Sequence, residues 1–410
     1  MEPETNNGGP AVVKTVVWLV VLVLIVGGFI LYGSKRGKEE VKEPIKIGFI
    51  GPLTGDVSSV GTVARAATEL AVEEVNAAGG VNGRILEAVY EDGKCSPSDA
   101  NSAAQKLLNI DKVSAIIGGL CSSETSAFAP QAMQSKTITI TYCSSAPSLT
   151  KTGKYFFRTY PVDTFQGKFA AEYGYNTLGA RKIAILYHIS DWGTGLKDVF
   201  TQRFTELGGE IVATEGTPQE ARDYRTQLTK LRAAKADYLY TPVYVDGGIA
   251  MIGQAKELKI TTKILGGDTF DDPKLQKEVS GKADILYTIS VVSPSEAFKT
   301  KVLAKTGGEQ VPICAPNAYD AVKVLSKAIA TVGLDADLLE AEIRKTDYTG
   351  ESGKITFDEN GNLTNASYLV KRIENGGATE VKAEMKEEPK AGEAKTEVKA
   401  ETKTEAERAQ

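Results

Sequence analysis

Five short stretches concentrate the side chains able to do chemistry: Leu120-Cys121-Ser122-Ser123, Cys143-Ser144-Ser145, Asp191-Trp192-Gly193, Tyr244 and Asp268. A serine nucleophile needs a base held against it. The chain has one histidine, His188, which lies inside an apolar β-rich run with no evident acidic partner, so it reads as a strand residue and a hydrolase reading fails. One histidine also excludes most catalytic zinc centres, and the four cysteines show neither Cys-x-x-Cys nor metal-ligand spacing. No metal and no cofactor is expected. Phosphate chemistry fares no better. GxxxxGK[ST] is absent, and IGFIGPLTG lacks the glycine spacing of a dinucleotide fingerprint. The run Asp358-Glu359-Asn360-Gly361-Asn362 resembles the start of a calcium loop. Leu363, however, stands where the loop glycine belongs, and no glutamate follows at the twelfth position, so a plain turn is the better reading. Hydroxyls, aromatic rings and a carboxylate remain, which is binding chemistry, and the chain is expected not to be an enzyme.

These residues fall where strands end. Between about Pro44 and Ala378, short β-rich runs alternate with amphipathic helical stretches, the pattern of an α/β protein with parallel sheets. IKIGFIG (45–51), RILEAVYED (84–92), VSAIIGG (113–119) and TITITY (137–142) read as strands, with helices at 62–80, 98–109 and 123–135 between them. A second set follows, with strands at 182–188, 210–216, 236–244, 263–268 and 284–292 and helices near 192–207, 223–234 and 246–258. A long helix around 317–332 and a hairpin-like pair, GKITFD (353–358) and SYLVKR (367–372), close the fold. Doubly wound sheets bind ligands outside the carboxyl ends of their strands. Two such lobes facing one another would line a single cleft.

Length and charge agree with that organisation. A chain of 410 residues holds two domains of ordinary size. A formal charge of −5, without a basic cluster interleaved with aromatics, gives no reason to expect nucleic acid. Both ends lie outside the repeating pattern. The uncharged run from Thr15 to Gly33 has the length of a bilayer span and lacks the small-residue ending of a cleaved signal peptide, so it is expected to be an anchor. Lys35, Arg36 and Lys38 after it oppose an outward orientation. The cysteines favour one, and long domains translocate largely regardless of flanking charge. The Lys/Glu/Ala-rich segment 379–410 carries too little apolar surface to pack and is expected to be a solvated tail.

Taken together, IKIGFIGPLTG, ARAATELAVEEVNAAGGVNGR, YEDGKCSPSDANSAAQKL, IIGGLCSSETSAFAP, SSAPSLTKTGKYFFR and AYDAV resemble the type I periplasmic binding proteins. The nearest branch is the leucine/isoleucine/valine-binding subfamily that feeds branched-chain amino-acid ABC importers, and the likeness covers nearly all of 44–375. It implies two doubly wound lobes joined by three crossovers, lobe one at 44–160 and 293–347 and lobe two at 161–292 and 348–378. The implied function is capture of an amino acid between closing lobes outside the cytoplasm and delivery to an importer permease. A sensor ectodomain with a separate signalling partner is the alternative.

The resemblance also assigns residues. It puts the ligand carboxylate on Ser122 and Ser145, beside Cys143, and a helix N-terminus with hydroxyls makes a reasonable carboxylate cradle. Ser122 or Ser123 is equally a preferred helix cap. The ammonium falls to Asp268, where the better-known members carry glutamate, with Trp192 and Tyr244 as cation–π partners. Asp268 has its own alternative, as cap of a helix at 271–279. The side-chain pocket departs from the family, with Val60 in place of a tyrosine and Cys314 in place of an aromatic, beside Leu120, so the resemblance does not carry over a preference for leucine, isoleucine or valine. Cys95 and Cys121 match the family's disulfide, worth ~3 kcal/mol in the chain-entropy model and diagnostic of an oxidising compartment. Cys143 and Cys314 fall near the pocket in relatives, as a second bridge or as free thiols.

Overall fold

The computed structural model describes residues 1–3, 18–25, 42–308 and 310–381. They divide into two units, Met1–Val162 with Val292–Asn365, and Asp163–Val291 with Ala366 onward. Residues 18–25 are helical with exposed side chains. The rest of the 15–33 run lies outside the described residues, and among those described no helix is long and apolar enough to cross a membrane.

The first unit opens with β1 (Ile45–Gly51), α1 (Ser58–Ala77), β2 (Leu86–Asp92), α2 (Pro97–Lys106), β3 (Ala115–Gly118), α3 (Ser122–Gln134), β4 (Ile138–Thr141) and β5 (Phe156–Arg158). Its sheet is wholly parallel, in the order β2-β1-β3-β4-β5. β1 and β3 are almost continuously apolar because helices cover both faces of such a sheet. α2 starts where Pro97 follows Ser96, whose hydroxyl accepts the Asp99 amide. The core beneath α2 and α3 is Ile50, Leu107, Ile116 and Phe128 with four small alanines. α1 begins at Ser58, four residues before its apolar period suggests, so Val60 sits in a first helical turn rather than a loop.

The second unit carries α4 (Asp163–Glu172), β6 (Lys182–His188), α5 (Asp191–Glu206), β7 (Glu210–Thr217), α6 (Arg225–Ala233), β8 (Tyr238–Thr241), α7 (Val245–Glu257), β9 (Lys263–Gly266), α8 (Pro273–Val279) and β10 (Ile285–Ser290). The chain then returns to the first unit for α9 (Glu296–Thr306), α10 (Ala315–Val332), α11 (Ala336–Arg344), β11 (Tyr348–Gly350) and β12 (Gly353–Ile355). It ends in the second unit with β13 (Tyr368–Glu374) and β14 (Gly377–Glu380). The second sheet runs β14-β13-β10-β9-β8-β6-β7, parallel from β10 to β7, with β13 antiparallel to both β10 and β14.

Two expectations fail in the C-terminal third. Residues 348–365 belong to the first unit, not the second. Asp320 on α10 accepts the Glu351 and Ser352 amides, the Arg158 amide donates to the Gly361 carbonyl, and Phe357 packs edge-on against Phe157 at 5.2 Å. Nor do the strands at 353–358 and 367–372 form a hairpin together. β12 pairs with β11, and β13 pairs with β10 and β14 across the turn Asn375-Gly376, both residues left-handed. Thr379 and Glu380, expected in the tail, are therefore strand, and 382–410 lies outside the described residues. The Asp358 turn spends its carboxylate on the Asn360 and Asn362 amides, as a plain turn does.

Candidate functional site

In each unit the strand order reverses at one point, between β1 and β3 in the first and between β6 and β8 in the second. Open α/β sheets bind ligands outside the carboxyl ends of strands at such points. Leu120 to Ser123 follow β3, Trp192 follows β6, and Tyr244 follows β8.

In the first unit the helix cap is Cys121, not a serine. Ser122 and Ser123 occupy the first two positions of α3, whose amides have no acceptor within a helix. Ser122 Oγ accepts the Ala146 amide at 3.1 Å, which ties the β3 and β4 loops together and leaves its own proton to donate. Ser123 Oγ is buried without a partner. Ser144 is spent on structure, with its hydroxyl 2.7 Å from Thr125 Oγ1 and donating to the Gly119 carbonyl. Ser145, next in line, is buried. Arg158, fully buried, donates to the Ala146 carbonyl at 3.1 Å and holds that loop from behind. Both cysteine pairs are bridged, Cys95–Cys121 and Cys143–Cys314, each with Cα atoms 5.3 Å apart. The second bridge ties the Ser145 loop to the residue that opens α10.

The capping task that the serines do not perform falls partly to Glu124. Its Oε1 accepts the Cys95 amide at 3.0 Å, and its Oε2 accepts those of Leu120 and Cys121 at 3.1 and 3.0 Å. Burial lifts this carboxyl to about 7, against the pull of the three amides. The glycines beside it are obligatory, since a Cβ on Gly93 would stand 2.3 Å from Oε1 and one on Gly119 2.9 Å from Oε2. The sequence offered a signal for Glu124, an acid three residues past the cap.

In the second unit Trp192 and Tyr244 stack with ring centroids 4.9 Å apart. A Cβ on Gly267 would lie 3.5 Å from the indole, so the residue preceding Asp268 borders Trp192. Thr269 Oγ1 donates to the Val243 carbonyl at 2.7 Å and ties the Asp268 turn to the Tyr244 loop. Asp268 is buried at the start of a short 3-10 turn, and the cap of α8 is Asp272, which accepts the Leu275 amide. The helix-cap alternative for Asp268 is thus taken by another residue. Tyr240 and Tyr368 titrate well above the usual tyrosine range, first through burial and then through the charges of Asp163 and Asp268.

His188 ends β6 beneath this group. The Tyr244 amide donates to Nδ1 at 3.1 Å, which leaves the proton on Nε2, 2.9 Å from the Tyr224 hydroxyl. Tyr224 in turn donates to the Ala221 carbonyl. Burial, with a smaller push from Arg222, lowers the imidazole to about 3. It is a strand-end residue, as its position in the sequence suggests, and it also fixes the backbone that presents Tyr244. Among the described residues no group of His, Cys, Asp and Glu is arranged to hold a metal. Val60 and Leu120 are both buried, and the Leu120 carbonyl accepts the Ser144 hydroxyl at 3.3 Å.

Two parallel sheets with reversed strand order, polar residues at their switch points and a bridged β3 loop define a binding protein of the periplasmic type. Residues 44–378 match the periplasmic binding protein family, and the chain belongs to it. Among curated relatives, the leucine-, isoleucine-, valine-, threonine- and alanine-binding protein of Pseudomonas aeruginosa is 28% identical over 340 residues, 80% of this chain and 89% of that one. Among solved structures, a leucine-binding protein from Thermotoga maritima is 30% identical with TM-score 0.76, covering 82% of this chain and 98% of its own. The branched-chain amino-acid transporter substrate-binding protein of Streptococcus pneumoniae, solved with isoleucine, is 28% identical with TM-score 0.73, covering 83% and 100%.

Proposed function

We propose that this chain is an extracytoplasmic solute-binding protein, without catalytic activity, that captures a small aliphatic α-amino acid between two closing lobes and delivers it to an ABC importer permease. The observation that carries the reading is the division of chemistry. Residues of the first unit present donors, the Ser122 hydroxyl and the free first-turn amides of α3, with Ser145 on the adjoining loop. Those of the second present a buried carboxylate, Asp268, and the stacked rings of Trp192 and Tyr244. Donors suit an α-carboxylate, and an acid with aromatic faces suits an α-ammonium. Val60, Leu120 and Cys314 would then meet the side chain, and the aliphatic ligands named for the relatives set the range to test. The uncharged run 15–33 would anchor the protein, and two bridges fit an oxidising compartment.

A thermal-shift panel of the common L-amino acids on the full chain tests the reading. Leucine, isoleucine, valine, threonine or alanine should raise the melting temperature in a concentration-dependent way. A panel in which no amino acid does so, while a sugar or a carboxylate lacking the amine does, would contradict it.

A further inference from the structure

We propose that amino-acid capture is coupled to uptake of a proton at Glu124, an inference that rests on the ligand reading above. Glu124 is the third residue of α3, and the two amides ahead of it, with the Ser122 hydroxyl, form the carboxylate cradle. Its carboxylate is completely buried and, among the described residues, is met by amide donors from Cys95, Leu120 and Cys121. The groups facing it do not neutralise it. Asp92, at the end of β2, adds negative charge. Tyr142, after β4, is buried and held in its neutral form by burial and by the Glu124 charge. Lys94, beside Cys95, is exposed and committed to Asp99. The Cys95–Cys121 bridge carries no charge.

A second carboxylate arriving at the first turn of the same helix enters this site as an anion beside an anion. Like charges in a buried setting disfavour each other's ionised form. With the free carboxyl already lifted to about 7, the ligand raises it further, and the group takes a proton from solvent. By linkage, the affinity then falls as pH rises. Ser123 Oγ, buried and without a partner next to Glu124, is an independent mark that the first turn is built to receive an acceptor.

Calorimetry of the full chain with L-leucine, L-valine and L-alanine at pH 7, in phosphate and in imidazole buffer, reads the exchange directly. Binding should take up a fraction of a proton, up to about half at a site half-protonated when free. Affinity should rise about fivefold from pH 8 to pH 6, for a shift of about one unit. Glu124→Gln should abolish both effects. Because that variant loses an acceptor, a measurement on wild type stands beside it: carboxyl 13C NMR should show one glutamate titrating near pH 7. Amino-acid binding without proton exchange, or uptake unchanged in Glu124→Gln, overturns the coupling and leaves the ligand reading intact. A Glu124 carboxyl titrating in the ordinary range overturns it whatever the ligand. Failure of all three amino acids to bind wild type removes the ligand reading and the coupling together.

Discussion

Acid should unfold this protein partly through one residue. His188 holds its imidazole neutral by accepting the Tyr244 amide at Nδ1 and donating to Tyr224 from Nε2, with burial lowering it from the ordinary 6.5 to about 3. The folded value lies below the unfolded one, so the unfolded chain binds more protons between those limits. The stability involved is fully present above about pH 6.5 and is lost as pH falls toward 3. At about 1.4 kcal/mol per unit, the whole loss is on the order of 4–5 kcal/mol. His188→Phe keeps a flat ring but strands the buried Tyr244 amide, at a cost of about 2 kcal/mol near neutrality. It also removes the titration. The two stability curves should therefore converge on acidification and cross near pH 5, where the histidine has lost about 2 kcal/mol, and at pH 4 the variant should be the more stable by about 1 kcal/mol. Urea unfolding followed by tryptophan fluorescence at half-unit steps from pH 4 to 8 checks this. Curves that stay parallel, with a constant offset, would show that the ring does not titrate as its surroundings require.

Other perturbations should follow the same physical logic. Gly247 faces His188 and Tyr224 so closely that an added Cβ would lie 2.6 Å from both, so Gly247→Ala should cost about 1–3 kcal/mol in urea unfolding. The disulfides close loops of different length, with separations of 26 and 171 residues. The chain-entropy model gives about 3.5 kcal/mol for Cys95–Cys121 and about 5 kcal/mol for Cys143–Cys314. Paired Cys→Ser variants should show that order in urea unfolding, and the reverse order would contradict it.

Much of the fold and of the candidate site is legible in the sequence. The switch from period 2 to period 3.6 marks most strands and helices, because a buried parallel strand and an amphipathic helix leave different apolar patterns. The cluster LCSS read as a site, since loops after strands are where α/β sheets bind. What stayed hidden depended on contacts distant in sequence. Asp320 claims 348–365 for the first unit through bonds to Glu351 and Ser352 that no local pattern announces. Cys121 rather than a serine caps α3, and Asp272 rather than Asp268 caps α8. A serine and an aspartate both look like good caps in sequence, so local pattern alone does not single out the residues that do the capping. The β13–β14 turn is different, because Asn375-Gly376 is a strong hairpin signal that lies wholly in local sequence.

The claim on which the functional account turns is that Asp268 meets a ligand ammonium. Calorimetry on the full chain should compare the best-binding amino acid, its analogue lacking the amine, and the Asp268→Asn variant. Leaving the other partner of a desolvated charge pair unpaired costs roughly 2–5 kcal/mol, about 30-fold or more in affinity. Asp268→Asn should lose at least that much while its thermal unfolding stays close to wild type, and the amine-free analogue should bind wild type weakly or not at all. Equal affinity of wild type and Asp268→Asn for the amino acid would contradict the assignment and with it the reading of the ligand as a zwitterion.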